Sequence, residues 1–255
     1  RCLPMSRACA SLLILATLAF IASTLGFALH MNASVGIPAD EAARILAAPR
    51  FFDTAPAQVD LSGMFLNPQG IGMRALLVMT WAALAYHALR CALSHAPANE
   101  TAQVPLIAAL ALGAVWPWIA PAHPLPGLLL AAMTLAGLLR AAMQQQRQGS
   151  EVGRSSALGF AAGWALLVWL SMLAALLQDR LDLSQPAAAV IAILIGAVAA
   201  VSLQLRLGRR IGFSVALIWG LIGVAAGTVT TDATIATVTV LAIAIIAVAL
   251  VRVTT

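Results

Sequence analysis

Residues 155–178 read SSALGFAAGWALLVWLSMLAALLQ. The stretch carries no charge, and at 1.5 Å of rise per residue it matches the roughly 30 Å hydrocarbon layer of a bilayer. Ala and Leu dominate and no proline interrupts them, so it reads as a membrane-spanning helix. Gly159 and Gly163 stand four apart and share a face on which a second helix backbone can approach closely. Phe160 and Trp164 share a face by the same spacing, whereas Trp169 points elsewhere. Ala165 falls on another face again, where a larger side chain is expected to be tolerated.

The whole chain has the composition of this stretch. It is 62% hydrophobic and 9% charged, with a mean hydropathy of +0.98, where a soluble domain carries about 25% charged residues. The fold class expected is therefore all-α, a polytopic transmembrane bundle of about eight spans. Upstream of the central span lie 125–143 and 104–119, joined by an uncharged turn with Pro121, His123, Pro124 and Pro126. Before them come 70–94, the most polar span, with Arg74, Trp81, Tyr86, His87 and Arg90, and then 8–30. The polar segment 31–69 is expected to form an external loop in which PADEAARILAAP, residues 38–49, makes a short surface helix started by Pro38 and stopped by Pro49. QQQRQGSEVGRSS, residues 144–156, reads as a polar loop. Downstream the spans are 187–205, 211–227 with a second glycine pair Gly223 and Gly227, and 233–251.

Charge fixes an expected orientation. All 14 basic residues are arginine. With the amino terminus cytoplasmic, ten of those 14 lie inside, and only Arg44, Arg50, Arg74 and Arg180 lie outside, among seven of the nine carboxylates. Both termini are then cytoplasmic. The arginines stand mostly singly at the ends of apolar runs, where they set topology, and this pattern speaks against nucleic acid as a partner despite the net charge of +5. Arg74 is expected to snorkel to the headgroups.

Catalytic signatures are absent from the sequence. It holds no HExxH, no GxSxG, no phosphate-cradling glycine loop with its lysine, and no Cys or His pair at metal-site spacing. All nine carboxylates fall between the apolar runs, which argues against proton coupling through an intramembrane acid. The chain is expected not to be an enzyme. His87 has two readings: a hydrogen-bonded residue about a turn from the cytoplasmic surface, or the axial ligand of a tetrapyrrole metal.

From residue 114 onward the order of segments resembles the longer, eight-helix members of the TspO/MBR family of tryptophan-rich membrane proteins. The likeness is carried by AVWPWIAPAHPLPGLLLAAMTLAGLL (114–139), ALGFAAGWALLVWLSML (157–173) and LIWGLIGV (217–224). The resemblance implies a five-helix core, residues 1–178 with the external 31–69 loop, followed by three additional helices in 179–255. It implies an aromatic-lined cavity for a tetrapyrrole such as a porphyrin, or for a lipid. Trp164 matches the fifth-span tryptophan of the family, Trp219, Gly220 and Gly223 match the seventh-span motif, and Trp81 matches the second-span tryptophan more loosely. The cofactor-binding residues implied are Trp81, Trp116, Trp118, Trp164 and His87. Two polar Asn positions of the family are replaced, one near Gly113 and one near Ser171 or Met172.

Two functions follow from the resemblance. One is a tetrapyrrole- or apolar-ligand-binding sensor or carrier in the bacterial cytoplasmic membrane. The other is a non-catalytic accessory or assembly subunit of a larger membrane complex, photosynthetic in a pigmented bacterium, in which glycine faces meet other subunits or a second copy.

Overall fold

The computed structural model describes residues 7–34, 65, 68, 70–93, 100–148, 156–208 and 211–254. Among them the chain is all-helical, without strands, in eight elements: α1 (Arg7–Ser34), α2 (Ile71–Leu93), α3 (Glu100–Ile119), α4 (Pro124–Gln148), α5 (Ala157–Leu181), α6 (Gln185–Leu207), α7 (Gly212–Thr228) and α8 (Ala233–Thr254). Each expected span corresponds to one of these. The expected surface helix at 38–49 lies outside the described residues.

Six helices are long and apolar enough to cross a bilayer, and α3 and α7 contribute shorter apolar stretches, Gln103–Ile119 and Gly212–Thr228. Seventeen residues in α7 reach about 25 Å, a few ångström short of the hydrocarbon thickness. Both short helices are flanked by longer ones, α3 by α1 and α4, and α7 by α5 and α8. The chain is thus a multi-pass helical membrane bundle.

Neighbour relations resolve into two rings that share α5. The first runs α1, α2, α5, α4, α3 and back to α1; the second runs α5, α6, α8, α7 and back to α5. Sharing explains the burial pattern, since 67% of the membrane-length window of α5 is covered against 28–44% in the other five long helices. It also overturns the expectation for Ala165, which is buried at 5% exposure. A helix with neighbours on four sides has no lipid face to spare.

Small residues make this crowding possible. A Cβ on Gly163 would stand 2.6 Å from the Phe213 carbonyl oxygen, and one on Gly159 3.3 Å from the Phe213 amide nitrogen. The expected glycine face of α5 therefore receives the backbone of α7, within the chain. Gly223 of α7 gives the same kind of room to the Met73 side chain of α2, whereas Gly227, expected to pair with it, is exposed. Because lipid tails are as apolar as leucine, such close packing and the hydrogen bonds between helices supply the drive to associate.

The buried hydroxyls among the described residues are tied down. Thr17, Thr24, Thr80, Thr134, Thr228 and Thr239 each donate to the carbonyl four residues back, at 2.7–2.9 Å, which satisfies a hydroxyl where no water is at hand. Gln204 of α6 clasps the start of α7, accepting from Ser214 Oγ at 2.7 Å and donating to the Gly208 carbonyl at 2.8 Å. Helix ends follow the local chemistry. Asp182 ends α5 in the left-handed conformation (φ 50°) and Gly208 ends α6 at φ 60°, while Asp232 accepts from the Thr234 and Ile235 amides and caps α8.

Several helices run about a turn beyond the sequence reading, α1 to Ser34, α3 from Glu100 and α5 to Leu181, and α4 differs most. Residues 144–148, expected as loop, continue α4 to Gln148. Glutamine is a good helix former, and Gln145 has a buried partner to reach.

Candidate binding sites

Three of the four candidate tryptophans converge on one stretch of α1. Trp164 lies edge-on to Phe20, ring centroids 6.1 Å apart and planes at 88°. Trp81 Nε1 donates to Thr24 Oγ1 at 3.0 Å. Trp118 Nε1 donates to Ser23 Oγ at 2.8 Å, and Ser23 in turn donates to the Ala114 carbonyl. Phe20 and Thr24 are four apart on one face, so α1 serves as an anchoring post for α2, α3 and α5. Trp116 is fully buried, whereas Trp118 is 49% exposed and packs edge-on against Phe27.

This aromatic set is packed, not splayed. Gly113 leaves room for the edge of Phe20; a Cβ there would stand 2.8 Å from two of its ring carbons. Stacking a flat macrocycle needs facing planes, whereas Trp164 stands at 88° to Phe20 and Trp118 at 88° to Phe27 and 41° to His30. The interior of the five-helix ring is filled by Phe20, Trp116, Trp164 and the leucines around them.

His87 sits apart from the tryptophans. It is 1% exposed, with Cys91 Sγ 3.4 Å from its Nε2, and Gln145 Nε2 3.3 Å from Nε2 and 3.4 Å from Nδ1. Gln103 Nε2 reaches Cys91 Sγ at 3.6 Å. The four residues come from the end of α2, the start of α3 and the end of α4, so they share one end of the five-helix ring. Axial ligation by His87 would require displacing Gln145 or Cys91 from the ring nitrogens. Arg74 stays at the start of α2 with its Nε on the Pro68 carbonyl at 2.9 Å.

A cavity of about 40 Å³ lies between α5, α6, α7 and α8, lined by Leu170, Ser171, Ala192, Gly196 and Val224 among others, with Phe65 from the chain before α2 at its wall. Ser171 supplies the one side-chain hydroxyl of the lining, and its proton goes to the Val168 carbonyl at 2.7 Å, leaving the oxygen lone pairs for the cavity. None of these lining residues was singled out as a binding residue in the sequence. The available signal was the run of small residues in α6, where Ala188, Ala192, Gly196 and Ala200 recur every fourth position and all are buried.

Among the described residues no group of three or more His, Cys, Asp or Glu gathers in a way that could hold a metal ion. Comparison of the chain with protein-family models, with curated proteins and with solved structures finds no match.

Proposed function

We propose that this chain is a non-catalytic, TspO-like protein of the bacterial cytoplasmic membrane, both termini inside, that binds an apolar ligand. The family part of this reading rests on the motif order given above and on the closed ring made by the first five helices. The ligand we assign is a slender one, the acyl or isoprenoid tail of a membrane lipid, and its seat is the cavity between α5 and α8.

The observation that carries the assignment is the lining of that cavity: apolar side chains, a row of Ala and Gly, and one hydroxyl. Small-molecule sites span about 300–1,000 Å³, so the cavity of about 40 Å³ admits a tail only if Phe65 moves aside. An apolar cavity of about 150 Å³ already accepts a benzene ring. Phe65→Ala should therefore raise the amount of lipid that co-purifies with the chain, and Ala192→Phe, which fills the space, should remove it. Native mass spectrometry of both variants is the test, and equal lipid retention in the two would refute the assignment.

The second reading, an accessory subunit, is favoured by one observation, the filled interior of the five-helix ring. A tetrapyrrole there would have to part Phe20 from Trp164. Titration of protoporphyrin while following Trp fluorescence separates the possibilities: saturable quenching supports a macrocycle site, and its absence together with stoichiometric co-purifying membrane proteins supports the subunit.

A further inference from the structure

Phe65 stands in the wall of the cavity between α5 and α8, with its ring 3.3 Å from where a Cβ on Gly220 would be. Three residues further along the chain, the Pro68 carbonyl accepts from Arg74 Nε at 2.9 Å. Three residues of chain span about 10 Å at most, so this bond fixes the guanidinium near the cavity wall. The start of α2 rests on α7 at the same place: Trp219 Nε1 donates to the Gly72 carbonyl at 3.1 Å, and Met73 packs against Gly223, next to the lining residue Val224.

Arg74 is exposed and nonetheless held. Donation from Nε to a backbone carbonyl orients the planar guanidinium and leaves the edge formed by its two Nη groups free. Among the described residues no carboxylate pairs with it, and the first turn of α2 carries no acid. Gly70, one turn earlier on the same face, is exposed, and a Cβ built on it or on Gly72 would meet nothing within 4 Å. The ground beside the free edge is therefore open. An arginine that only reaches for the headgroup layer needs neither the carbonyl nor the bare glycines.

We propose that Arg74 is the headgroup contact of the ligand assigned above, and that this ligand is a phosphate-bearing lipid. Two phosphate oxygens take the Nη edge, and one tail passes Phe65 into the cavity; the proposal rests on the cavity reading. Phosphate matches the guanidinium fork bidentately, which a single hydroxyl or ester oxygen does not. A lipid tail fills half of the roughly 30 Å hydrocarbon layer, about 15 Å, and so outreaches the stretch of chain from Pro68 to Phe65. A neutral diacylglycerol offers the same tail and leaves the guanidinium unpaired.

The test uses the full chain, delipidated in detergent, with phosphatidylglycerol and diacylglycerol of identical acyl chains as probes and native mass spectrometry as the readout. The parent should bind phosphatidylglycerol about tenfold more tightly than diacylglycerol. Arg74→Gln should remove that preference while leaving diacylglycerol binding and the thermal midpoint unchanged. Arg74→Lys, which keeps the charge and loses the fork, should lose most of it, whereas Arg140→Gln, at an exposed arginine of α4, should keep it. Inorganic phosphate in large excess should not displace phosphatidylglycerol, because it has no tail; displacement would make this a site for free phosphate and overturn the lipid. Equal binding of the two lipids by the parent, or a preference retained in Arg74→Gln, would overturn the headgroup contact and leave the cavity standing. Failure of both lipids to bind, with no gain in Phe65→Ala, would overturn the cavity reading itself and the headgroup contact with it.

Discussion

The two rings share α5 and differ in what fills them. Around α1, α2, α3 and α4 the interior is closed by large side chains, with Trp164 edge-on to Phe20 and indole N–H groups bonded to Ser23 and Thr24. Around α6, α7 and α8 the Ala and Gly of α6 lie among Leu, Ile and Val side chains, and a cavity remains. The aromatic residues around α1 thus close the contacts they make, and the small residues of α6 line the place where something else can enter. A tryptophan-rich stretch in a membrane chain is as readily a packing device as a ligand cradle.

The contrast breaks most completely if the seam that joins the rings is forced open. Gly163 lies against the backbone of α7, which cannot withdraw as a flexible side chain can, so Gly163→Leu should prevent recovery of monodisperse folded protein in detergent. Val240→Leu, at a position 57% exposed, should leave recovery unchanged, and equal recovery of the two would show that the seam is not close-packed.

A smaller but still large effect is expected inside the first ring. Trp164→Ala removes a side chain exposed by only 2% and should cost about 3 kcal/mol or more, read as a fall in thermal midpoint. Trp118→Ala, at 49% exposure, should cost about 1 kcal/mol or less. Equal losses would mean that Trp164 is not a packing residue.

The smallest effect sharpens the comparison. Thr24→Val leaves the Trp81 N–H without its acceptor, and interhelical hydrogen bonds in membrane bundles are worth about 0.6 kcal/mol on average. A Thr24→Val, Trp81→Phe double-mutant cycle should give a coupling of that order, and zero coupling would show that the bond contributes nothing.

Helix positions were legible in the sequence because spanning length and apolar composition act locally: each expected span reappears as a helix. Gly159 and Gly163 were legible as a contact face, but not that the contact lies within the chain. Ala165 was misread because one helix cannot announce how many neighbours it has. Gln145 was misread because its reason for being helical and buried is His87, 58 residues away. The cavity escaped notice because it is made by four helices together, and small residues in an apolar run signal nothing until Ala192 and Gly196 are seen to line it with residues of α5, α7 and α8.

The claim that the second ring, not the first, admits a ligand is tested most directly by photo-crosslinking. A lipid carrying a diazirine in its acyl chain, reconstituted with the full chain and analysed by peptide mapping, should label buried cavity-lining positions such as Ser171, Ala192 and Gly196, and labelling there should rise in Phe65→Ala. Labelling of the buried positions Phe20, Trp116 or Trp164, with none at the cavity residues, would contradict the account.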